Sequence, residues 1–305
     1  MSKKTKNKLM KFLLIIVIAI CTYLYETYFE EPTTNPEIEY RQEEQVKIDP
    51  NNLIIHFVDV GQGDCILISK NNEHVLIDAG NNEDGPLLVE YFKELGIKKF
   101  KYVIATHAHE DHIGGIDNVI NNFELGHYYM PDVITTTKTF EDVLDALLAK
   151  KKAFETPNIG DKFKLSDTEF EVLYLGSDKS DLNNTSIVLK LTYKNTTYLF
   201  MGDATDKVEK ILITEGKDLE SDVLKVGHHG SQYSSTAAFL KQVSPRYAVI
   251  QVGQDNDYDH PKQITIDKLE KLKTLTYRTD KHGTIILTSD GDNISFETIK
   301  TNTNG

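Results

Sequence analysis

The sequence contains little cysteine, with two residues among 305, Cys21 and Cys65. Cys21 lies in an apolar run near the N-terminus and Cys65 in a predicted strand, so the folded part of the chain has one thiol and no internal disulfide. A domain without disulfides depends on its apolar core for stability. A domain of roughly 250 residues is large enough to build such a core.

Low-complexity tracts and internal repeats are also lacking. The chain has 18 glycines and 8 prolines, which implies no long low-complexity region, and no period of the solenoid type is visible. The apolar fraction of 39% and the charged fraction of 27% are typical of a globular protein. The length allows one large domain or two small ones.

Positive charge is scarce after the N-terminus. The net charge is −13, and five lysines lie within the first 11 residues, which leaves 29 basic and 47 acidic residues, a charge of −18, for the rest of the chain. An acidic domain is poorly suited to hold long nucleic acid through its phosphates. It does not exclude phosphodiester chemistry, because bound metal ions supply local positive charge.

The first 25 residues predict a membrane anchor or a signal segment. The lysines precede an uncharged apolar run from Phe12 to Tyr25, which is typical of either kind of segment. The run is shorter than the ~20 residues of a full span, but Leu9 and Met10 extend it if Lys11 snorkels.

No small-x-small cleavage site follows the run, and the bulky Ile20 before Cys21 makes only a weak lipoprotein box. We therefore favour an uncleaved, single-pass anchor in the cell membrane over secretion after cleavage or a lipoprotein. Because the lysines keep the N-terminus inside, the domain would lie outside the cytoplasm.

Residues 26–50 are rich in glutamate and proline and poor in apolar residues. Such a stretch cannot bury enough surface to fold alone, and it predicts a linker. Residues 51–300 form the predicted domain, and 301–305 are a tail.

The domain alternates pairs of strands with helices. The first three strands are joined by turns too short for crossover connections, which disfavours a doubly wound parallel sheet. Two sheets covered by helices satisfy the pattern. We predict strands at 53–59, 64–69, 74–78, 102–106, 170–174, 186–193, 197–201, 223–226, 247–252, 283–288 and 293–298, and helices at 85–95, 113–123, 139–152, 206–214, 264–275 and ending at 239–243.

Four potential metal ligands lie within six residues directly after a buried strand: His107, His109, Asp111 and His112. Imidazole and carboxylate together suit zinc, manganese or iron. Alternate residues that leave a strand end can converge on one ion while the next pair turns toward a second. A solvated polar loop is the alternative, and this density of ligand types disfavours it.

Further ligand types follow other strands. Asp203 ends an apolar strand, and His228 and His229 follow another. Asp203 alone is also compatible with an N-cap of the next helix, and the histidine pair alone is ambiguous. Together with the first cluster, they predict a shared cleft at the strand ends.

Several motifs between about residues 53 and 298 resemble the metallo-β-lactamase superfamily, and within it the hydrolase domains of ComEC-type competence proteins. His-x-His-x-Asp-His at 107–112 is the superfamily motif. The motifs similar to the ComEC branch are Phe-Val-Asp-Val-Gly-Gln-Gly-Asp at 57–64, Leu-Ile-Asp-Ala-Gly at 76–80, Asn-Asn-Thr-Ser at 183–186, Leu-Phe-Met-Gly-Asp at 199–203, Leu-Lys-Val-Gly-His-His-Gly-Ser at 224–231, His-Pro at 260–261, Tyr-Arg-Thr-Asp at 277–280 and Ser-Asp-Gly at 289–291.

The resemblance implies an α+β fold, an αββα four-layer sandwich with two divalent ions, zinc or manganese, between the sheet edges. His107 and His109 would hold one ion, and Asp111 and His112 the other. Asp203 would bridge the two ions. His228 is favoured to complete the second site, although His229 could be the ligand instead or could act on the substrate.

One feature departs from the wider superfamily. Many members place a third histidine of the first site between the motif and the bridging aspartate, where this chain has Asn184 and Ser186. Substitution there is typical of the ComEC branch. It leaves the first ion with fewer strong ligands, which favours manganese or loss of the ion on purification.

The implied mechanism is attack by a metal-activated water that Asp111 orients. The residues that could contact the substrate, as predicted, are Asn184, Ser186, Lys225, Ser231 and His260. Two have simpler alternatives, since Lys225 could be a surface charge and His260 could position the turn at Pro261.

Phosphodiester cleavage outside the cytoplasm is the leading functional prediction, on extracellular DNA, nucleotides or wall phosphodiesters such as teichoic acid. Hydrolysis of a lactam, lactone or thioester is the second, because the fold does not decide the function. A non-catalytic metal-containing binding module is the third. The sequence indicates no protein partner.

Overall fold

The computed structural model of the protein describes residues 51–300. The predicted anchor at 1–25, linker at 26–50 and tail at 301–305 lie outside the described residues and stay predictions. Among the helices of residues 51–300, none combines the length and the apolar character needed to span a bilayer.

The strands of this part of the chain form two seven-stranded sheets. The first has the order β14-β13-β1-β2-β3-β4-β5 and the second the order β12-β11-β10-β9-β8-β7-β6. The strands of the first sheet are β1 (Leu53–Phe57), β2 (Ile66–Lys70), β3 (Glu73–Ile77), β4 (Lys99–Ile104), β5 (Glu124–Tyr129), β13 (Thr284–Ser289) and β14 (Ile294–Ile299). Those of the second are β6 (Lys162–Leu165), β7 (Thr168–Tyr174), β8 (Val188–Tyr193), β9 (Thr196–Phe200), β10 (Val223–Lys225), β11 (Tyr247–Ile250) and β12 (Leu275–Arg278).

α-Helices flank the two sheets. They are α1 (Gly85–Glu94), α2 (Glu110–Ile113), α3 (Ile116–Asn122), α4 (Lys138–Ala149), α5 (Asp206–Thr214), α6 (Ala237–Val243), α7 (Gln263–Lys271) and α8 (Thr279–His282). α1, α3 and α4 share an apolar cluster with the first sheet. α5, α6 and α7 share another with the second sheet.

A third apolar cluster lies between the sheets. It takes alternate residues from the strands, such as Leu53, Ile55 and Phe57 of β1, opposite Leu189 and Leu191 of β8. This alternation is the period-2 pattern of strands with both faces covered. The four-layer αββα sandwich predicted from the sequence is therefore confirmed.

Some predicted elements differ from the structure. The predicted helix over 264–275 ends at Lys271, because the chain then forms the parallel strand β12, and the strands β5 and β6 were not predicted. The predicted helix over 113–123 is two helices, α2 and α3, that meet at Gly114 and Gly115. A Cβ on Gly114 would lie 2.2 Å from the carbonyl carbon of Asn81, so the backbone packs too closely there for a side chain.

The site lies where parallel strands end. β3 runs parallel to β4, and β9, β10 and β11 run parallel to one another. Parallel neighbours bring their carboxyl ends to one edge, where ligands bind in such sheets. The segments after β3, β4, β9, β10 and β11 carry the residues of the candidate site.

Candidate metal centre

Asp78, directly after β3, fixes the segment that carries the histidine motif. Its carboxylate accepts hydrogen bonds from the backbone N–H and the hydroxyl of Thr106, both at 2.7 Å. It also accepts one from Nδ1 of His112 at 2.8 Å. All three residues are buried. The short helix α2 then places Asp111 and His112 one after the other beside the sheet edge.

The second sheet supplies the opposite side of the site. Gly202 adopts a positive φ of 51°, and the N–H of the next residue, Asp203, donates to the Ser186 hydroxyl at 3.1 Å. After β10, the consecutive residues His228 and His229 both adopt left-handed backbone angles, with φ of 51° and 50°. Such conformations are costly for residues other than glycine and concentrate at functional sites.

Four side chains from both sheets converge. One ligand atom from each of Asp111, His112, Asp203 and His229 lies within 4.8 Å of the others. His229 Nε2 is 3.2 Å from Asp111 Oδ2 and 3.5 Å from Asp203 Oδ2. His112 Nε2 is 3.4 Å from Asp203 Oδ1. Two imidazoles and two carboxylates suit a divalent transition metal.

The hydrogen bonds of the Nδ1 atoms of His112 and His229 show whether their Nε2 atoms could bind a metal ion. His112 donates Nδ1–H to Asp78, and His229 donates Nδ1–H to the Gln251 carbonyl at 2.9 Å. A carbonyl only accepts, so Nδ1 of His229 carries a proton in this contact, and Nε2 is the ring atom that faces the other ligands. Nε2 of both histidines and Oδ1 of Asp203 are buried without a well-aligned hydrogen bond. Unsatisfied buried atoms require an explanation, and an ion among these ligands supplies one, so the residues fit.

The electrostatics of the cluster point the same way. Burial works against ionised Asp203, but His229 and His112 hold its pKa well below the ordinary value. Burial also works against charge on the histidines, yet Asp203 and Asp111 raise the pKa of both His112 and His229 well above the usual range. The carboxylates thus require positive charge beside them, and a metal would displace the protons that otherwise supply it.

The predicted first ion site is less assembled. His107 Nε2 lies 3.0 Å from His109 Nδ1 and 4.0 Å from Asp203 Oδ2. Burial and the neighbouring His112 hold the pKa of His107 well below its usual value, so its ring is neutral, as a ligand must be. Within residues 51–300, however, neither His107 nor His109 joins the compact set of four.

The two histidines of the 228–229 pair have different surroundings from those predicted. His229 is buried and contacts Asp111 and Asp203, whereas His228 is 22% exposed, with Nε2 3.9 Å from Asp203 Oδ2 and 3.3 Å from the Asn183 amide. The sequence favours His228 as the ligand of the second ion. The geometry favours His229, because the left-handed turn directs His229 inward and His228 toward the cleft, and the ligand role of either residue stays a prediction.

Four of the five predicted substrate contacts have side chains that are buried against protein, and their contact with a substrate stays a prediction. The Lys225 ammonium contacts Asp64, and Ser186 accepts a hydrogen bond from the Asp203 backbone. Asn184 binds Thr205 at 2.6 Å and Asp181 at 2.5 Å, and the Ser231 hydroxyl accepts from a nearby backbone N–H. These residues support the site from within.

His260, the fifth predicted contact, lines an open cleft of about 330 Å³ above the ligands. Its ring meets the edge of His228 at 5.6 Å and stacks on Tyr258 at 5.7 Å. Burial, together with His228, lowers the pKa of His260 to about 4, so the ring is neutral near pH 7. The other lining residues are Gln62, His109, Glu110, Asp111, Asn183, Asp203 and His229.

Some residues of the site are not predicted from the sequence. Asp64, Asp78 and Asn183 lie within the family motifs, whereas Gln251 and Tyr258 lie outside them. Asp78 directly follows a strand and Asp203 nearly does, and this shared position in the sequence indicates that Asp78 belongs to the site. The roles of Gln251 and Tyr258 arise from tertiary contacts, and no local pattern marks them.

A larger cavity of about 770 Å³ adjoins the cleft, since both are lined by Gln62, Glu110, Asp111 and Tyr258. Its remaining lining carries several carboxylates and one lysine: Asp59, Glu83, Asp84, Asp280 and Lys300. This approach to the site is acidic.

Comparisons with known proteins agree with this geometry. ComE operon protein 3 of Bacillus subtilis (strain 168) is 30% identical over an alignment of 250 positions that covers 76% of this chain and 32% of that protein. Competence protein ComA of Neisseria gonorrhoeae is 27% identical over an alignment of 253 positions that covers 81% of this chain and 33% of that protein. The predicted likeness to the ComEC branch is confirmed, and the chain spans about a third of the length of these relatives.

Two solved structures share the fold. A metallo hydrolase from the archaeon Ignicoccus hospitalis KIN4/I has a TM-score of 0.52 and 17% identity, covering 76% of this chain and 98% of its own. The metallo-beta-lactamase fold protein YhfI from Bacillus subtilis has a TM-score of 0.51 and 12% identity, covering 78% and 100%. The family model of the metallo-beta-lactamase superfamily matches residues 58–254. The chain belongs to the metallo-beta-lactamase superfamily.

Proposed function

We propose that this chain is a metal-dependent phosphodiesterase that uses two divalent ions, zinc or manganese. The observation that carries the proposal is the convergence of Asp111, His112, Asp203 and His229, of which all but the buried His112 line an open cleft. The likeness to ComEC-type proteins favours phosphodiesters among the substrates of the superfamily. Asp203 faces both groups of histidines, which suits a residue that bridges two ions.

The residues of the cleft divide into two roles. Ions held at its floor would activate a water and offset charge on the attacked group. Asp111, 25% exposed, faces the cleft, where its carboxylate would orient that water. Burial lowers the pKa of His228 as well as that of His260, so both rings are neutral near pH 7. Nε2 of His228 accepts from the Asn183 amide, so His260 is the ring that would donate an N–H to a phosphoryl oxygen.

The charge around the cleft limits the size of the substrate. The adjoining cavity is lined by five carboxylates besides Asp111 and by a single lysine. Extended polyanions are held by basic side chains that replace counterions, and this surface offers few. We therefore propose small phosphodiesters or short nucleic acid ends as substrates, and long duplex DNA as a poor one.

The test is hydrolysis by the full-length chain of bis-p-nitrophenyl phosphate, a short oligonucleotide, duplex DNA and nitrocefin, each with zinc and with manganese. We expect metal-dependent cleavage of the first two. Asp111→Ala should reduce it by a factor of about 10³ if metal-activated water supplies most of the catalysis. Asp145→Ala, on the exposed face of α4, is the matched control and should leave the rate unchanged.

Two results would defeat the proposal. Cleavage of nitrocefin without phosphodiester cleavage would assign the second class of hydrolase. Metal binding without any hydrolysis would indicate a binding module.

We also propose that the enzyme acts at the outer face of the cell membrane, tethered by its N-terminal segment. The basic flank and apolar run within residues 1–25 support this. Membrane fractionation should recover the full-length chain with the membrane and a chain without residues 1–25 in the soluble fraction. A shortened soluble product of the full-length chain would indicate cleavage instead.

A further inference from the structure

Lys225 occupies an unusual place for a lysine. It ends β10 on the face that looks toward the first sheet, the same face as Val223, and its register neighbours Phe200 and Val249 are apolar residues of the core between the sheets. The side chain is fully buried. A lysine is almost never buried without a partner, because the loss of hydration is too large.

The partner is Asp64, which comes from the other sheet. Asp64 lies between β1 and β2, and its side chain is 1% exposed. Its backbone N–H donates to the Asp111 carbonyl at 3.1 Å. The preceding Gly63 makes this approach possible, because a Cβ there would lie 2.5 Å from the same carbonyl. The ion pair therefore joins the two sheets directly behind the ligands.

The carboxylate of Asp64 also reaches both histidines of the compact set. Oδ1 lies 3.4 Å from Nδ1 of His229, and Oδ2 lies 3.9 Å from Nδ1 of His112. These Nδ1 atoms are the ones whose protons must stay in place if the Nε2 atoms are to face an ion. Partners behind a ligating histidine fix its tautomer and its ring orientation.

We propose that Lys225 and Asp64 are positioning residues of the metal centre, and that their ion pair between the sheets holds His229 and His112 in the ligating orientation. The inference rests on the metal site of the proposed function and concerns metal binding, not the substrate. Neither residue touches the cleft, since neither lines it and both are buried. Their effect must therefore pass through the ligands.

The test measures the dissociation constants for zinc and manganese of the full-length chain by competition with a chromophoric chelator. Lys225→Met and Asp64→Asn should each weaken binding by about 10- to 100-fold, the range for partners of metal ligands. Asp64→Asn keeps the size of the side chain, so it serves if Lys225→Met does not fold. Because the pair acts as a unit, the double variant should resemble the single ones and not show the product of their losses.

Lys190→Met is the matched control. Lys190 is also a buried strand lysine, 8% exposed, but its ammonium contacts Asp218, 2.7 Å away, and no residue of the site. We expect it to lower the melting temperature of the metal-free protein while its metal affinity stays within twofold of wild type.

If Lys225→Met and Asp64→Asn, like the control, lowered the melting temperature but left the metal affinity unchanged, the inference would be overturned. The ion pair would then be purely structural. Losses that multiply in the double variant would show that the two residues do not act together. Wild-type protein that binds metal but cleaves no phosphodiester would defeat the proposed function and leave this inference standing.

Discussion

The two proposed ion sites differ in how firmly the protein holds their ligands. The ligands of the second site are backed by other residues: Asp78 behind His112, the Gln251 carbonyl behind His229, and Asp64 near both. The ligands of the first site have less support. Within the described part of the chain, the ring of His109 has one hydrogen bond, to His107, and it lies partly open to the cleft.

This difference shows that a ligand motif does not specify a metal site by itself. His107, His109, Asp111 and His112 occupy one short segment, yet only the last two join the compact set. Outer partners restrict ring orientation, and well-supported ligands are already in place before an ion binds. We therefore expect the second site to bind first and more tightly, and the first site to exchange its ion more readily.

The largest expected effect separates the two sites directly. His229→Ala removes a buried ligand of the second site, and we expect metal affinity there to fall by more than about 100-fold, since even outer partners account for 10- to 100-fold. His109→Ala should leave one metal ion tightly bound and should lower the affinity of the protein for the second, more weakly bound ion. The measurement is metal content after dialysis, with phosphodiester hydrolysis assayed alongside.

The half-exposed His127 on β5 provides the control, because it binds Glu155 and lies in a part of the first sheet that does not line the cleft. The His127→Ala variant should keep both bound metal ions. If the His109→Ala variant lost the tightly bound ion and the His229→Ala variant kept it, the first site would be the tighter of the two, which is the reverse of what we infer.

A smaller effect distinguishes the neighbours His228 and His229. Because His228 faces the cleft and not the compact set, His228→Ala should retain the tightly bound metal. It should lower kcat/KM by about tenfold, because Asn183 loses one hydrogen bond and His260 loses the ring that it packs against. Metal content and kinetics measured on the same sample decide this. Loss of the tight equivalent together with activity would restore His228 as a ligand of the second ion.

The sequence allowed the layers of the fold and the location of the site to be predicted. Alternating apolar residues predicted most strands, and ligand residues after strands predicted the sheet edge. The strand β5 was missed because Glu124–Tyr129 includes Gly126, and β12 because Leu275–Arg278 is half-buried and continues a helical pattern. Parallel edge strands depend on a neighbour that is distant in the sequence, and a local period does not contain that information.

The roles of individual site residues were less accessible to prediction. His228 and His229 are adjacent and identical in type, and only the left-handed turn separates a cleft-facing ring from a buried ligand. Lys225 looked like a surface charge or a substrate contact until the position of Asp64 was known. Both assignments depend on contacts between the two sheets, which no single segment encodes.

The smallest expected effect tests the limited support of the first site. The Thr106 hydroxyl donates to Asp78, so its oxygen accepts a hydrogen bond from Nδ1–H of His107, 3.2 Å away. Nε2 of the same ring is then unprotonated and faces His109 and Asp203. Thr106→Val keeps the shape and removes this link. We expect the more weakly bound metal ion to bind up to about tenfold less tightly, at the low end for such partners. The affinity for the more tightly bound ion should change less, because Asp78 still holds His112.

Thr196→Val is the control, because it removes a buried hydroxyl at the start of β9, and it should change neither dissociation constant. A two-step zinc titration measures both constants, and equal weakening of the two would mean that Asp78 supports the sites as one unit and that the contrast between them is wrong.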